Sequence, residues 1–182
     1  MIHQINQERF ADVNDANPGE SRAAHLSMAT KIRSLQQHLC DQSHEDENEN
    51  DAQSQASLTA ELYRIATLLY LYAVCEDLAD NMERDFRLNQ ALDILQKMAV
   101  CTSPWPLFIV AGEVTTDAQR IIILDVLGRM DKMRNIGNVL VVRRLIEAYW
   151  KQLDLVGCGE KSQRRPRIWQ FLSIGSATPW FI

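Results

Sequence analysis

Closely spaced cysteines are missing from this 182-residue chain. Its four cysteines, Cys40, Cys75, Cys101 and Cys158, stand far apart with no CxxC pair, which speaks against paired-thiolate zinc frameworks and small disulfide scaffolds. With no signal-peptide pattern ahead of them, they read as reduced intracellular thiols, buried where they fall within helices. Long hydrophobic runs are lacking too. The longest nearly unbroken one, ATLLYLYAVC at 66–75, is about half of the roughly 20 residues that a bilayer-spanning helix needs, so no membrane crossing is expected. Histidine is absent beyond residue 44. No G-x-S-x-G is present and no cysteine has a histidine beside it, so nucleophilic catalysis has no support and no enzymatic activity is expected. Positive charge is short as well: the net charge is -5, with ten acids against four bases in residues 1–56 and fourteen against fifteen in the rest. An unneutralised acidic surface repels phosphate backbones, which argues against specific DNA binding by this chain alone.

What is present is ordinary globular balance, 46% hydrophobic and 24% charged, enough for one sizeable core. Residues 1–19 are polar and end in Asn-Pro-Gly. Leu26, Ile32, Leu35 and Leu39 then recur at near-helical spacing, predicting a helix with Ser21 as its cap. The run DQSHEDENENDAQSQAS, residues 41–57, has no large apolar side chain; it cannot offset its ordering entropy by burial and is expected to be a flexible acidic connector. From Leu58 the character changes. Apolar residues stand almost all round between Ile65 and Val74, the pattern of a central helix buried on most sides, while Phe86, Leu88, Leu92, Leu95 and Ala99 form the one-sided stripe of an amphipathic helix against it.

The stretch CTSPWPLFIVAGEVTTDAQR, residues 101–120, predicts a short buried helix that starts at proline. A first-turn N–H has no intrahelical partner, so Pro104 or Pro106 there removes no bond, and Ser103 is the expected cap. A proline disfavours helical geometry in its predecessor, which puts Trp105 just outside and Pro106 at the opening. Gly112 leaves room for a neighbouring backbone. Thr116-Asp117-Ala118-Gln119 has the capping-box pattern and starts the next helix. In the last strong helix Asn138 is the expected cap, Leu140, Leu145, Tyr149 and Leu153 are inward candidates, and Gly137 and Gly157 punctuate the ends. Beyond Cys158 helical periodicity is lost.

Candidates for chemistry are sparse. His38, Cys40, His44 and Glu45 have metal-ligating side chains, yet they lie at the edge of the acidic run, whereas structural zinc wants paired, rigid ligands. Glu76, Asp77 and Asp80, and Asp131 with Glu147, fit a solvated helical surface better than a cavity. Of Arg143 and Arg144 one is expected exposed and one paired with an acid on a neighbour. KSQRRPR, residues 161–167, is a short basic cluster of the kind found in import signals and phosphate-contacting patches. Tyr63, Tyr70, Tyr72 and Trp150 are expected to be core and edge residues. No metal and no cofactor is expected.

Three pieces in this order and spacing carry a resemblance: Trp105-Pro106-Leu107-Phe108, the turn Thr116-Asp117-x-Gln119-Arg120, and Val142-x-x-Leu145-Ile146-x-x-x-Trp150-Lys151. From about Leu58 to Leu155 the chain resembles the C-terminal part of the fungal-specific transcription factor domain that follows the zinc binuclear-cluster module in fungal regulators. The resemblance implies an all-α, irregular antiparallel array of about six helices, nuclear, that modulates or transmits transcriptional activity through a protein partner, self-association or a small-molecule effector. The six-cysteine DNA-binding cluster of such regulators is absent, and the chain is expected to correspond to the back half of a larger regulatory region, a fragment or truncated paralogue that leaves an apolar face exposed. Three segments are expected: 1–57, polar with one helix and the acidic connector; 58–157, the helical regulatory core; 158–182, an irregular tail. Trp105, Pro106, Phe108 and Trp150 are the candidate structural motif or interface. Two alternatives stay open, a helical protein-interaction scaffold and a small helical ligand-binding protein or enzyme recruited from the same family.

Overall fold

The computed structural model describes residues 18–35, 47–75, 78–99, 101–134, 137–157 and 167–168. These form six helices and no strand: α1 Pro18–Ser34, α2 Glu47–Val74, α3 Asn81–Lys97, α4 Pro104–Glu113, α5 Asp117–Arg134 and α6 Gly137–Gly157. The all-α expectation and the number of helices both hold.

The shortest of them sits at the centre. Among the described residues, helix α4 packs on α2, α3, α5 and α6, whereas the long α2 meets α1, α3 and α4. Eight α4 residues are buried, from Pro104 and Pro106 through Leu107, Phe108, Ile109, Val110, Ala111 and Gly112, and each fully enclosed aliphatic or aromatic side chain contributes about 1.5–3 kcal/mol. Helix α2 supplies Leu62, Ile65, Ala66 and Leu69 to the same core, α3 gives Leu88, Leu92 and Leu95, α5 gives Ile123, Val126 and Leu127, and α6 gives Val142, Ile146, Tyr149 and Trp150.

Local chemistry explains the helix starts. Asp80 caps α3 by accepting the Glu83 N–H at 2.8 Å. At the entrance to α5 the capping box forms in full: Gln119 N–H donates to Thr116 Oγ1 at 3.3 Å, and Gln119 Oε1 accepts from the Thr116 and Thr115 N–H groups at 3.2 and 3.0 Å. Helix α4 opens at Pro104, so Trp105 is inside the first turn; burial of the prolines with Leu107 and Phe108 outweighs the local preference against a helical residue before Pro106. Ser103 occupies the N-cap position without a side-chain bond. An N-cap oxygen bonds the second or third helical N–H, and the third helical residue here is Pro106, which has none.

Other expectations are corrected. The acidic run is not wholly a connector, since α2 begins at Glu47 and residues 47–57 are helical, while residues 41–46 lie outside the described residues. Once packing holds 58–74, extending the helix backward needs no new nucleus. Helix α1 starts at Pro18 rather than after Ser21, as a proline in a first turn permits. Its stripe is only partly interior: Ala29 is buried, but Leu26 and Leu35 are 52% and 60% exposed, because among the described helices α1 packs on α2 alone. Phe86 and Leu140 likewise face outward, and Leu39 lies outside the described residues.

Candidate functional site

Trp150 and Tyr149 are where α6 meets the end of α4. The last carbonyls of any helix lack an intrahelical donor. Here Trp150 Nε1–H donates to the Ala111 carbonyl at 2.9 Å and the Tyr149 hydroxyl donates to the Gly112 carbonyl at 3.2 Å, both buried. The two side chains close the C-terminal end of the central helix. Over the Trp150 ring lies the Arg120 guanidinium, 5.5 Å from its centroid. Arg120 also holds both Asp154 carboxylate oxygens at 2.9 and 2.7 Å, and those hydrogen bonds keep the Asp154 carboxyl below its ordinary range. Gly112 has a second role: a Cβ there would meet Ile168 Cγ2 at 2.6 Å. The close neighbour is thus a buried side chain from beyond α6, where the sequence suggested a backbone.

Arg129 of α5 treats the end of α3 in the same manner. Its guanidinium donates to the Met98 carbonyl at 2.6 Å and the Leu95 carbonyl at 3.1 Å, beside the buried Cys101. Burial pushes the Cys101 thiol up to about 11, so it is protonated and inert at neutral pH. Arg33 of α1 donates to the Tyr72 hydroxyl at 2.7 Å, and Glu83 accepts from Arg87 at 3.0 Å. Arg84 joins α3 to Glu113 at the end of α4, 3.1 Å away. Arg64 pairs with Glu61 along α2. These groups join helices or brace a single one, and their chemistry is that of ion pairs and caps.

Of the four candidate residues, Pro106 and Phe108 are interior, Trp150 is 5% exposed, and Trp105 is half-buried. Trp105 stacks on Tyr63 of α2, with ring centroids 5.8 Å apart and planes 16° apart. The structure therefore joins Trp150 and Phe108 in one core and places Trp105 at its edge. Tyr72 is fully buried while Tyr63 and Tyr70 are 38% and 39% exposed, the division into core and edge expected of them. Asp131 and Glu147 are both exposed, and Asp80 is the α3 cap. Arg144 is exposed, and Arg143 pairs with Glu147 of its own helix at 2.8 Å, not with a neighbour. Gly137 and Gly157 are the first and last residues of α6, so Asn138 falls inside its first turn. The set His38, Cys40, His44 and Glu45, the pair Glu76 and Asp77, and residues 161–166 of the basic cluster lie outside the described residues. Among the described residues no group of three or more His, Cys, Asp or Glu is placed to hold a metal, and no helix is long and apolar enough to cross a membrane.

Sequence reasoning missed the capping roles of Tyr149 and Arg129 and the seat of Ile168 on Gly112. No local signal marks them, since each joins residues from separate helices or from beyond the last one.

A family model for the fungal specific transcription factor domain matches residues 3–169, well beyond the span from Leu58 to Leu155 that carries the motifs. The transcription factor iacI of Pestalotiopsis fici is 32% identical over 108 residues, 59% of this chain and 28% of that protein. The match thus spans less than a third of the relative's length. No solved structure matches the chain.

Proposed function

Because this chain belongs to the fungal specific transcription factor domain family, we propose that it is a regulatory region of a fungal-type transcription factor that acts through protein or effector contacts and does not itself read DNA. The family is one of transcription factor domains, not of enzymes, and transcription regulation is the setting it supplies. The observation that supports the finer reading is how polar and apolar groups are divided among the described residues. Inside, Trp150 and Tyr149 are engaged with helix-end carbonyls, as is the part-buried Arg129. Outside, large hydrophobics such as Tyr63, Tyr70, Met82, Phe86 and Leu155 stand exposed on several helices, where another protein could reach them. The regulatory core in this reading is residues 58–157, extended backward by the first turns of α2, with 158–182 as a tail; the protein works in the nucleus.

Fusing the chain to a heterologous DNA-binding module and a fluorescent tag tests this. A several-fold change in reporter output with nuclear accumulation is expected; output equal to that of the module alone would sink the regulatory reading. The unfused chain is expected to give no discrete gel-shift complex at physiological salt, where nonspecific phosphate binding weakens steeply. A discrete complex there would overturn the claim that it does not read DNA.

A further inference from the structure

Helix α1 is held differently from the other helices. Among the described residues, the core that joins α2 to α6 and Ile168 includes no α1 side chain. From Arg22 to Leu35 only Ala29 is buried; His25, Ile32 and Arg33 are half-buried on the same face, and every other position is exposed. Enclosing an alanine removes little apolar area from water. What α1 has instead is a polar fastening in its last turn. Arg33 Nε and Nη2 donate to the Tyr72 hydroxyl at 3.1 and 2.7 Å, and the guanidinium lies 5.5 Å from the centroid of the same ring and 4.0 Å from the Glu83 carboxylate. The Arg33 carbonyl accepts from Arg64 Nη1 at 3.5 Å. Arg64, Leu68 and Tyr72 recur every four residues along one face of α2, so Leu68 stands between the two contacts. Leu68 and Tyr72 are both fully buried, yet neither belongs to the core of α2 to α6.

We propose that α1 is a flap that leaves α2 as a unit while α2 to α6 stay folded, and that the contacts of Arg33 with Tyr72 and Glu83 are the latch that sets how often it opens. Local opening ranges in free energy from near zero up to that of global unfolding, and an element with few buried apolar contacts lies at the low end. A helix of 17 residues is marginal in water by itself, so α1 frays once it has left its seat. The core loses no member when it does. The latch is also built to be released without stranding a charge, which would be costly in a buried site. Glu83 keeps Arg87 at 3.0 Å and the Tyr72 hydroxyl at 3.4 Å after Arg33 departs. The Arg33 and Glu83 side chains are 34% and 31% exposed, so water already reaches both. Opening bares Leu68 and the ring of Tyr72, and closing covers them again. This inference does not rest on the regulatory reading, because opening is measured on the purified chain and transcription is not.

Native-state hydrogen exchange of the full chain, read by mass spectrometry, tests it. In the parent protein the α1 amides are expected to be about a hundredfold or more less protected than those in the middle of α6. Arg33→Ala removes the donor of the latch, and Tyr72→Phe keeps the ring beneath Arg33 but removes the hydroxyl. Each should lower α1 protection by a further factor of about ten and leave α6 unchanged. Amides of α1 that exchange in step with those of α6 in the parent overturn the flap. An α1 whose protection neither change moves overturns the latch. Protection lost from α6 as much as from α1 on either change puts Tyr72 in the cooperative core and overturns independent opening.

Discussion

Replacing Gly112 by alanine sets two effects of known sign against each other. An added methyl would lie 2.6 Å from Ile168 Cγ2 and 3.1 Å from Ile168 Cβ, inside ordinary van der Waals contact. Ile168 is 1% exposed and β-branched, so few rotamers offer it a way out; overpacking of this kind costs about 1–3 kcal/mol. In the other direction, alanine is favoured over glycine in a helix by at most about 1 kcal/mol, and less here because Gly112 is the penultimate residue of α4. The bond from Tyr149 survives the change, since it goes to the backbone carbonyl. Gly112→Ala is therefore expected to destabilise by about 0.5–2 kcal/mol. Ile168→Ala alone should cost about 2–4 kcal/mol, within the range for emptying a large aliphatic site. In that second background the obstacle is gone, and Gly112→Ala should become neutral or slightly stabilising. The two changes should thus be coupled by about 1–3 kcal/mol, as contacting residues are. Urea or thermal unfolding of the four proteins measures this, each kcal/mol moving the midpoint by about 2–4 °C at this chain length. A raised midpoint for Gly112→Ala in the parent protein, or strict additivity, would refute the seating of Ile168 on α4.

Three further outcomes are expected. Trp150→Phe keeps a ring beneath Arg120 but removes the N–H that reaches the buried Ala111 carbonyl, and should cost about 1–3 kcal/mol by denaturant unfolding; an unchanged midpoint would mean that the carbonyl is satisfied in some other way. Trp105→Ala, at a half-buried ring stacked on Tyr63, should cost less than the roughly 3–5 kcal/mol of a fully enclosed aromatic, and a melt identical to the parent's would make Trp105 a partner-facing residue alone. The Cys101 thiol, raised by burial from 9.0 to about 11, binds its proton more tightly in the folded state, so its contribution is complete below pH 9.0 and is lost as pH rises toward 11. The parent should lose on the order of 2–3 kcal/mol more than Cys101→Ala over that window, and parallel pH–stability curves for the two proteins would refute the shift.

Much of the chain between residues 101 and 134 was legible in advance. Thr116 and Gln119 bond each other's N–H groups within one turn, so the residues that decide the structure are all present in a few letters of sequence. The same holds for a helix opened by proline, although whether Pro104 or Pro106 opened it depended on how deeply both prolines were buried. Tyr149 was recognisable as inward by its spacing, and Trp150 stood among the core and edge residues. That their polar atoms serve the last carbonyls of α4 was not recognisable.

By itself, then, the sequence determined the helical class, the family motifs, the proline-led start of α4 and the cap of α5, because hydrogen bonds within a turn and apolar periodicity are short-range. Tertiary structure alone decided that α4 rather than α2 is the hub, that α2 reaches back to Glu47, that Leu26, Leu35, Phe86 and Leu140 face outward, and that Trp150 bonds Ala111 across 39 positions of chain. The physical reason is the same in each case. Burial and the satisfaction of helix-end carbonyls depend on which distant helix arrives to cover them, and a residue's own neighbours in sequence carry no record of that.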